Sequence, residues 1–554
     1  MIFGRDGEPR WEVSSDPQAR LTLIGTAFDR ESLNEEGAEP IRADQVIRLD
    51  DDALLGRVWG SFIAIRSFGT APSLRLIRDA SGSLPALLVE AGDSLLIAPN
   101  LPRWLRDLAG IKPRIDRHAL ALALANPLLL THRGLLSGVH HLPAGGAFDW
   151  DGFVLTGPSM LWPFADIIAE PARDDPQAAE RLRRTVSGSI RALGARHGRV
   201  TLELSGGLDS AIVLGALASS PRPVDISCVN FAITHAGGDE RVEARAVAER
   251  WRMRLVEVSA GAEELRFEDL FGGEQPVEPI LYGLDAILER ASLGVTRAFD
   301  ARAIFTGQGG DAVFCNIPTA LVAVDYARAF GWRAHLSRIA YEAAQRAYRS
   351  IWHVEWLMLR DRLAGTRQLI PQLPGQQLGA AAKVGSVGGT RHPWLSGDNV
   401  IAPARRMQLE AVANCQHFFG PTWRGNEAAL VHPLLSQPIV ETCLGIPTYR
   451  LATGSGNRAF ARGVFADWLP DMVRNRRNKG EATNYYRRAI AENLPYLRDL
   501  LLNGTLVAHG LLDDAGIDAA LRDESLIWTD QSRMIAAYAS FEAWARYWGL
   551  ESEA

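Results

Sequence analysis

The residues best equipped for chemistry stand in Ser205-Gly206-Gly207-Leu208-Asp209-Ser210. Before them Val200 to Leu204 alternates β-branched and aliphatic residues. From Asp209 onward Ala, Leu and Ile recur at helical spacing, so the pattern predicts strand, tight turn and helix. Two glycines let such a turn approach a ligand closely, and the helix start offers unpaired N–H groups and a positive dipole end to an anion. No Gly-Lys-Ser/Thr closes the turn, and Asp209 stands where a Walker lysine would be. A carboxylate beside a phosphate site makes chemical sense when a divalent cation lies between them. An ordinary Gly turn would account for Gly206 and Gly207, but not for the two serines and the aspartate.

Two further stretches carry chemistry. In Ala303-Ile-Phe-Thr-Gly-Gln-Gly-Gly-Asp311 a short apolar run delivers Thr306 and Gly307 to a strand end, where open α/β sheets bind ligands. Asp311 then offers a second carboxylate to the same Mg²⁺. Taken alone, the stretch reads equally well as a Gly-rich turn with an aspartate capping the next helix. The run Arg474 to Lys479 reads first as a solvated basic patch. Lysine, however, occurs only at Lys112, Lys383 and Lys479 among 59 Lys and Arg residues. A patch needs only charge, which this chain supplies as Arg, whereas a compact ammonium suits one phosphate oxygen.

The first motif resembles the PP-loop of the ATP pyrophosphatases, Ser-Gly-Gly-x-Asp-Ser, which holds a β,γ-pyrophosphate and releases it as a unit. The resemblance extends along nearly the whole chain to the asparagine synthetase superfamily. It is carried by Trp59-Gly60-Ser61-Phe62, Arg78-Asp79-Ala80-Ser81-Gly82-Ser83-Leu84-Pro85 and Leu142-Pro143-Ala144-Gly145 in the first part. In the second part it is carried by Asp239-Glu240, Thr306-Gly307-Gln308-Gly309-Gly310-Asp311, His432-Pro433, Asn457-Arg458 to Arg462, Leu469-Pro470 and Arg477-Asn478-Lys479. It implies ATP and Mg²⁺ as cofactors. ATP would be bound by Leu204, Ser205, Gly206, Gly207, Asp209, Ser210, Thr306 and Gly307, the metal by Asp209 and Asp311, with Lys479 and Arg477 catalytic. Gln308 departs from the Glu or Tyr of relatives, and an amide does not trade protons near neutrality.

The resemblance also implies two domains in an α/β fold. Residues 1–165 would form a glutaminase-like (Ntn-type) β-sandwich and 177–554 a PP-loop synthetase domain with a parallel sheet and helices. The chain reads Met1-Ile2-Phe3-Gly4 with no cysteine before Cys228, where the family's glutaminase carries a cysteine after the initiator methionine. The expectation is therefore a scaffold that does not hydrolyse glutamine, and an amine that comes from elsewhere. Among relatives with that loss, lasso-peptide macrolactam synthetases look most similar. They adenylate an Asp or Glu side chain of a precursor core peptide and join it to the peptide's N-terminal amine, with a leader-binding protein and a leader peptidase as partners. β-Lactam synthetases, ammonia-dependent asparagine synthetases and a non-catalytic regulatory homologue are the rival readings.

The elements that must position these residues follow from periodicity. Apolar runs at Leu21–Ala27, Phe62–Ile65, Leu74–Ile77, Leu87–Val89 and Leu95–Ala98, separated by Gly, Pro, Asp and Ser, predict short strands in a sandwich. The stretch 165–176, acidic with proline, reads as a linker. After it a helix over 177–197, a strand over 224–231, a helix from Arg241 to Trp251 and a strand over Arg254–Val258 predict a parallel sheet with crossovers. Residues 320–362 read as helical, and 365–390, aperiodic and rich in Gly and Gln, as a disordered insert or else a mobile loop near the site, the insert being the better reading. A length of 554 residues accommodates two or more domains. A net charge of −6 argues against nucleic acid as a partner. Four scattered cysteines indicate neither zinc nor a disulfide framework, and no signal or 18-residue apolar run appears, so a cytoplasmic protein without a membrane span is expected.

Overall fold

The computed structural model describes residues 13–16, 21–47, 49–68, 73–127, 131–162, 167–168, 175–233, 239–260, 265–281, 286–364, 377–386, 392–395, 401–420, 422–454, 457–476, 483–522 and 532–550. The first part is antiparallel β-structure: β1 (Val13–Asp16), β2 (Leu21–Asp29), β3 (Val58–Phe68), β4 (Ser73–Arg78), β5 (Leu87–Ala91), β6 (Ser94–Ala98), β7 (Val139–His141), β8 (Gly146–Trp150) and β9 (Leu155–Met160). They form one sheet in the order β1-β2-β3-β4-β8-β9 and a second in the order β6-β5-β7. Ile24, Ile63, Leu76, Leu88, Leu142 and Phe148 pack between them, the side chains that alternation turns inward.

The second part is built on β10 (Arg199–Glu203), β11 (Asp225–Ile233), β12 (Arg254–Ala260), β13 (Ala303–Phe305) and β14 (Ala429–Val431), all parallel, in the order β12-β11-β10-β13-β14. Connecting helices include α1 (Ala178–His197), α2 (Leu208–Ala218), α3 (Arg241–Arg250) and α4 (Ala286–Ala298). The central strands β10 and β13 are the most buried, with Val200, Thr201, Leu202 and Ala303–Phe305 shut off from solvent, whereas the outer β12 and β14 are partly exposed. From β10 the chain steps outward to β11 and β12, then returns to place β13 on the other side of β10. That reversal is a topological switch point, where side chains and loops leave a crevice at the carboxyl ends of the strands.

The stretch 320–362 is helical as expected, in three helices, Leu321–Phe330, Arg338–Arg346 and α5 (Ile351–Ala364). One expectation needs correction. The Gly/Gln-rich stretch is not wholly a loop, because Ala380–Ser386 is helical and carries Lys383: Ala-rich local propensity prevails there over the glycines around it. Residues 365–376 and 387–390, with most of the expected linker, lie outside the described residues.

The two parts share buried surface. One apolar cluster runs from Leu54, Phe62 and Trp162 to Leu182, Val200 and Leu434. Polar contacts fix the register across it. Trp162 donates to Glu441 (2.8 Å), Gln437 to the Leu55 carbonyl (2.6 Å) and Trp394 to the Ala144 carbonyl (2.9 Å). Among the described residues no helix is long and apolar enough to cross a membrane.

Candidate nucleotide site

The turn after β10 is held by its own polar groups. The Asn230 amide donates to the Leu204 carbonyl (2.8 Å) and the Leu204 N–H to Val229 (2.8 Å), which locks the end of β10 to β11. Ser205 N–H donates to Ser210 Oγ (3.2 Å), Gly207 N–H to Ser205 Oγ (3.3 Å), and the two hydroxyls lie 3.2 Å apart. Both serines thus shape the turn, and α2 begins at Leu208 with Asp209 in its first turn. Gly206 sits at φ +75° against the start of α3, where a Cβ would come within 2.8 Å of the Ala244 N and the Glu240 O. Only glycine combines that φ with that approach.

The loop after β13 lies against this turn. A Cβ on Gly310 would overlap Asp209 Cγ, so the missing side chain is what lets the two loops meet. Thr306 and Gly307 are fixed from behind. The buried His432 ring presents Nε2 to the Phe418 carbonyl (3.1 Å), an acceptor, so Nε2 carries the proton and Nδ1 accepts from the Thr306 hydroxyl (2.7 Å). Burial pushes the His432 pKa down to about 3, which keeps this tautomer neutral. Thr306 Oγ1 in turn accepts the Gln308 N–H (3.1 Å).

Asp209 and Asp311 converge, as the spacing suggested, on a residue not chosen from sequence. Arg458 Nη1 donates to Asp209 Oδ2 (2.5 Å) and to Asp311 Oδ1 (2.7 Å), and its side chain is 1% exposed. Burial disfavours its charge, yet Asp209 and Asp311 outweigh that cost and hold its pKa above the ordinary value. Arg458 also adopts a left-handed backbone conformation (φ 54°), a cost of order 1–2 kcal/mol for a non-glycine residue. Four residues on, Arg462 donates to the Asn457 carbonyl (3.0 Å) and to Val473 O (2.5 Å). Burial lowers its pKa to about 10, so it stays cationic at neutral pH. Arg476 pairs with Glu240 (2.9 Å). The turn glycines Gly206 and Gly207, with Arg458, Arg462 and Arg476, line one small pocket at the start of α2.

The sequence held a sign of this. Arg458 and Arg462 stand four apart in a stretch with no acid beside them, so two cations there would need anions from elsewhere in the fold. Lys479 and Arg477 lie outside the described residues, which end at Arg476 on the rim of this pocket.

Asp209 and Asp311 are hard oxygen donors from two loops, the donor chemistry that Mg²⁺ takes, and they would be the residues to hold it beside a bound phosphate. Among the described residues no group of three His, Cys, Asp or Glu could hold a metal alone. Buried cysteines do not compete as nucleophiles, since desolvation pushes Cys228 and Cys315 thiols up to about 12.

An open parallel sheet with an anion-binding turn and two carboxylates at its switch point defines a nucleotide-binding α/β enzyme class. The asparagine synthase family model matches residues 180–546, about two thirds of the chain, and the protein belongs to that family, whose members are ATP-dependent ligases. None of the curated proteins matches it.

Proposed function

We propose that the protein adenylates a side-chain carboxylate of a precursor peptide and closes a macrolactam with the peptide's amino terminus, with Mg·ATP as co-substrate. The observation that carries the adenylation step is Arg458, which pairs with Asp209 and Asp311 and lines one pocket with Gly206, Gly207, Arg462 and Arg476. The β,γ-phosphates lie against the N–H groups of the turn, with Arg462 and Arg476 offsetting their charge. Mg²⁺, held by Asp209 and Asp311, supplies further charge neutralisation when bound. A carboxylate oxygen attacks the α-phosphorus, the α–β bond breaks and pyrophosphate leaves. The amine then attacks the acyl carbon, AMP departs and the amine's proton passes to solvent. Lys479 and Arg477 are assigned to the charge developing on the phosphates.

The peptide part of the reading is supported by a cavity between the two parts of the chain. Pro85, Leu87, Val277, Ile280 and Phe419 give it a mainly apolar wall, and the His141–Glu278 pair (2.8 Å) a polar edge. Phe418, next to that wall, holds His432 and through it Thr306, so the cavity adjoins the nucleotide loops. An apolar chamber suits peptide side chains better than ammonia. Partners would be the core peptide, a leader-binding protein and a leader peptidase, with no nucleic acid and no membrane, in the cytoplasm. The glutaminase-like identity of residues 1–165 and the boundary at 177 belong to the same proposal.

The test is Lys479. Replacing it by Ala or Arg should lower ATP–pyrophosphate exchange and macrolactam formation by roughly 10²–10³ with little change in substrate affinity, because the ammonium acts mainly on the transition state. Full activity in Lys479→Arg overturns the assignment and leaves a surface charge.

A further inference from the structure

Helix α5 is apolar on two opposite faces. Its inner face sets Val354 and Met358, 0% and 2% exposed, toward the core, and Asp361 accepts both N–H groups of Arg328 at 2.8 Å. Its outer face exposes Trp352 (73%), Trp356 (50%), Leu359 (40%) and Leu363 (78%). An exposed apolar stripe that backs onto a buried face is ordinarily covered by a partner. The outer spacing is four, three, four, which is the a/d seam of a heptad, the width of one partner helix. Trp332 (62%) and Leu336 (70%), in the adjoining turn and loop, extend the same surface.

The flanking positions of the seam carry His353, Glu355, Arg360 and Arg362, and Glu355 is already tied to His335. Arg362 lies over the Trp332 ring at 4.4 Å and Arg360 over Trp356 at 5.0 Å. Between residues 320 and 364 there are seven arginines and four acids. The acids are turned inward or already engaged: Asp325 accepts the Ala404 and Arg405 N–H groups, Glu342 pairs with Arg338, Glu355 with His335 and Asp361 with Arg328. A cationic, Trp-lined seam therefore sits on a chain of net charge −6.

We propose that α5 docks an amphipathic helix of another protein, one with Leu-type residues along its seam and Asp or Glu on its flanks. A second copy of this chain fits poorly, because it carries the same surplus of arginine over acids on this surface and offers few acidic flank residues. The seam from Trp352 to Leu363 spans roughly 17 Å, three helical turns, which sets the minimum length of the partner helix. Trp and Arg at the centre of a patch are the residue types that carry most binding energy in protein interfaces.

The experiment uses the full chain and two synthetic three-heptad peptides, both with Leu at a and d, one with Glu and one with Lys at e and g. Binding is read by fluorescence anisotropy of labelled peptide. The acidic peptide should bind, more weakly as salt rises, and at least roughly tenfold better than the Lys peptide. Trp352→Glu and Trp356→Glu should each lose that binding while ATP–pyrophosphate exchange and melting temperature stay at wild-type values. Absence of binding, equal binding of both peptides, or indifference to both substitutions overturns the proposal. So does sedimentation with phosphatidylserine vesicles that either substitution abolishes, which assigns the face to a membrane. A dimer in sedimentation velocity that Trp356→Glu dissociates overturns it in favour of a second copy.

Discussion

Two buried arginine–aspartate clusters, one in each part of the chain, separate scaffold from site. In the first part Asp79 accepts N–H groups from Phe62 (3.0 Å), Ser81 (2.9 Å) and Gly82 (3.1 Å), and Arg78 donates to the Leu142 carbonyl (2.8 Å). The partners are main chain from the surrounding turns, so the cluster closes on itself and ties β3, β4 and the 142–145 turn together. In the second part Asp209 and Asp311 come from different loops and meet on a strained arginine, which itself lines a pocket with two further arginines. Buried charge alone therefore does not single out a candidate site. Charge that converges from distant segments beside a pocket is the better guide.

The sharpest way to break this contrast is to neutralise one aspartate in each cluster. Asp209→Asn should lower ATP–pyrophosphate exchange by roughly 10²–10³ while the protein remains folded. Asp79→Asn should do the reverse, since an amide cannot accept from every donor around it and each donor left unpaired costs roughly 1–3 kcal/mol. Thermal unfolding and exchange, measured on both, decide it. Wild-type exchange in Asp209→Asn would end the reading of the second cluster as a site.

A smaller change tests the contact between the loops. In Gly310→Ala the new Cβ pushes Asp209 aside, at a cost of about 1–3 kcal/mol in stability and at least roughly tenfold in exchange. Gly294→Ala is the control, because a Cβ there meets nothing within 4 Å and a helix interior gains about 0.5–1 kcal/mol from the exchange. Equal effects of the two would mean that the approach of Gly310 to Asp209 is incidental.

A separate effect, on stability alone and not on exchange at neutral pH, concerns pH. Burial lowers His432 to about 3 from an unfolded value of 6.5, so the unfolded chain binds a proton that the folded one refuses. Its stability contribution is complete above 6.5 and is lost as pH falls toward 3, by up to about 1.4 kcal/mol per pH unit. Against wild type, His432→Gln should flatten the loss of melting temperature between pH 6.5 and 4. An unchanged slope would show that His432 is not held neutral.

What the sequence determined is what is local. The turn and helix at 205–218 follow from contiguous glycines, serines and apolar spacing, and the alternation of strand and helix after 177 dictates a parallel sheet. The short apolar run Ala303–Phe305 is read as a strand because glycines follow it and strands alternate with helices around it. Tertiary structure decided everything that depends on segments meeting: that β13 returns beside β10, that Gly310 touches Asp209, and that Arg458 bridges two carboxylates from separate loops. It also decided that His432 is a silent support and that α5 keeps one apolar face in water. Periodicity reports which side of an element is apolar, but only packing determines which of those sides finds a partner.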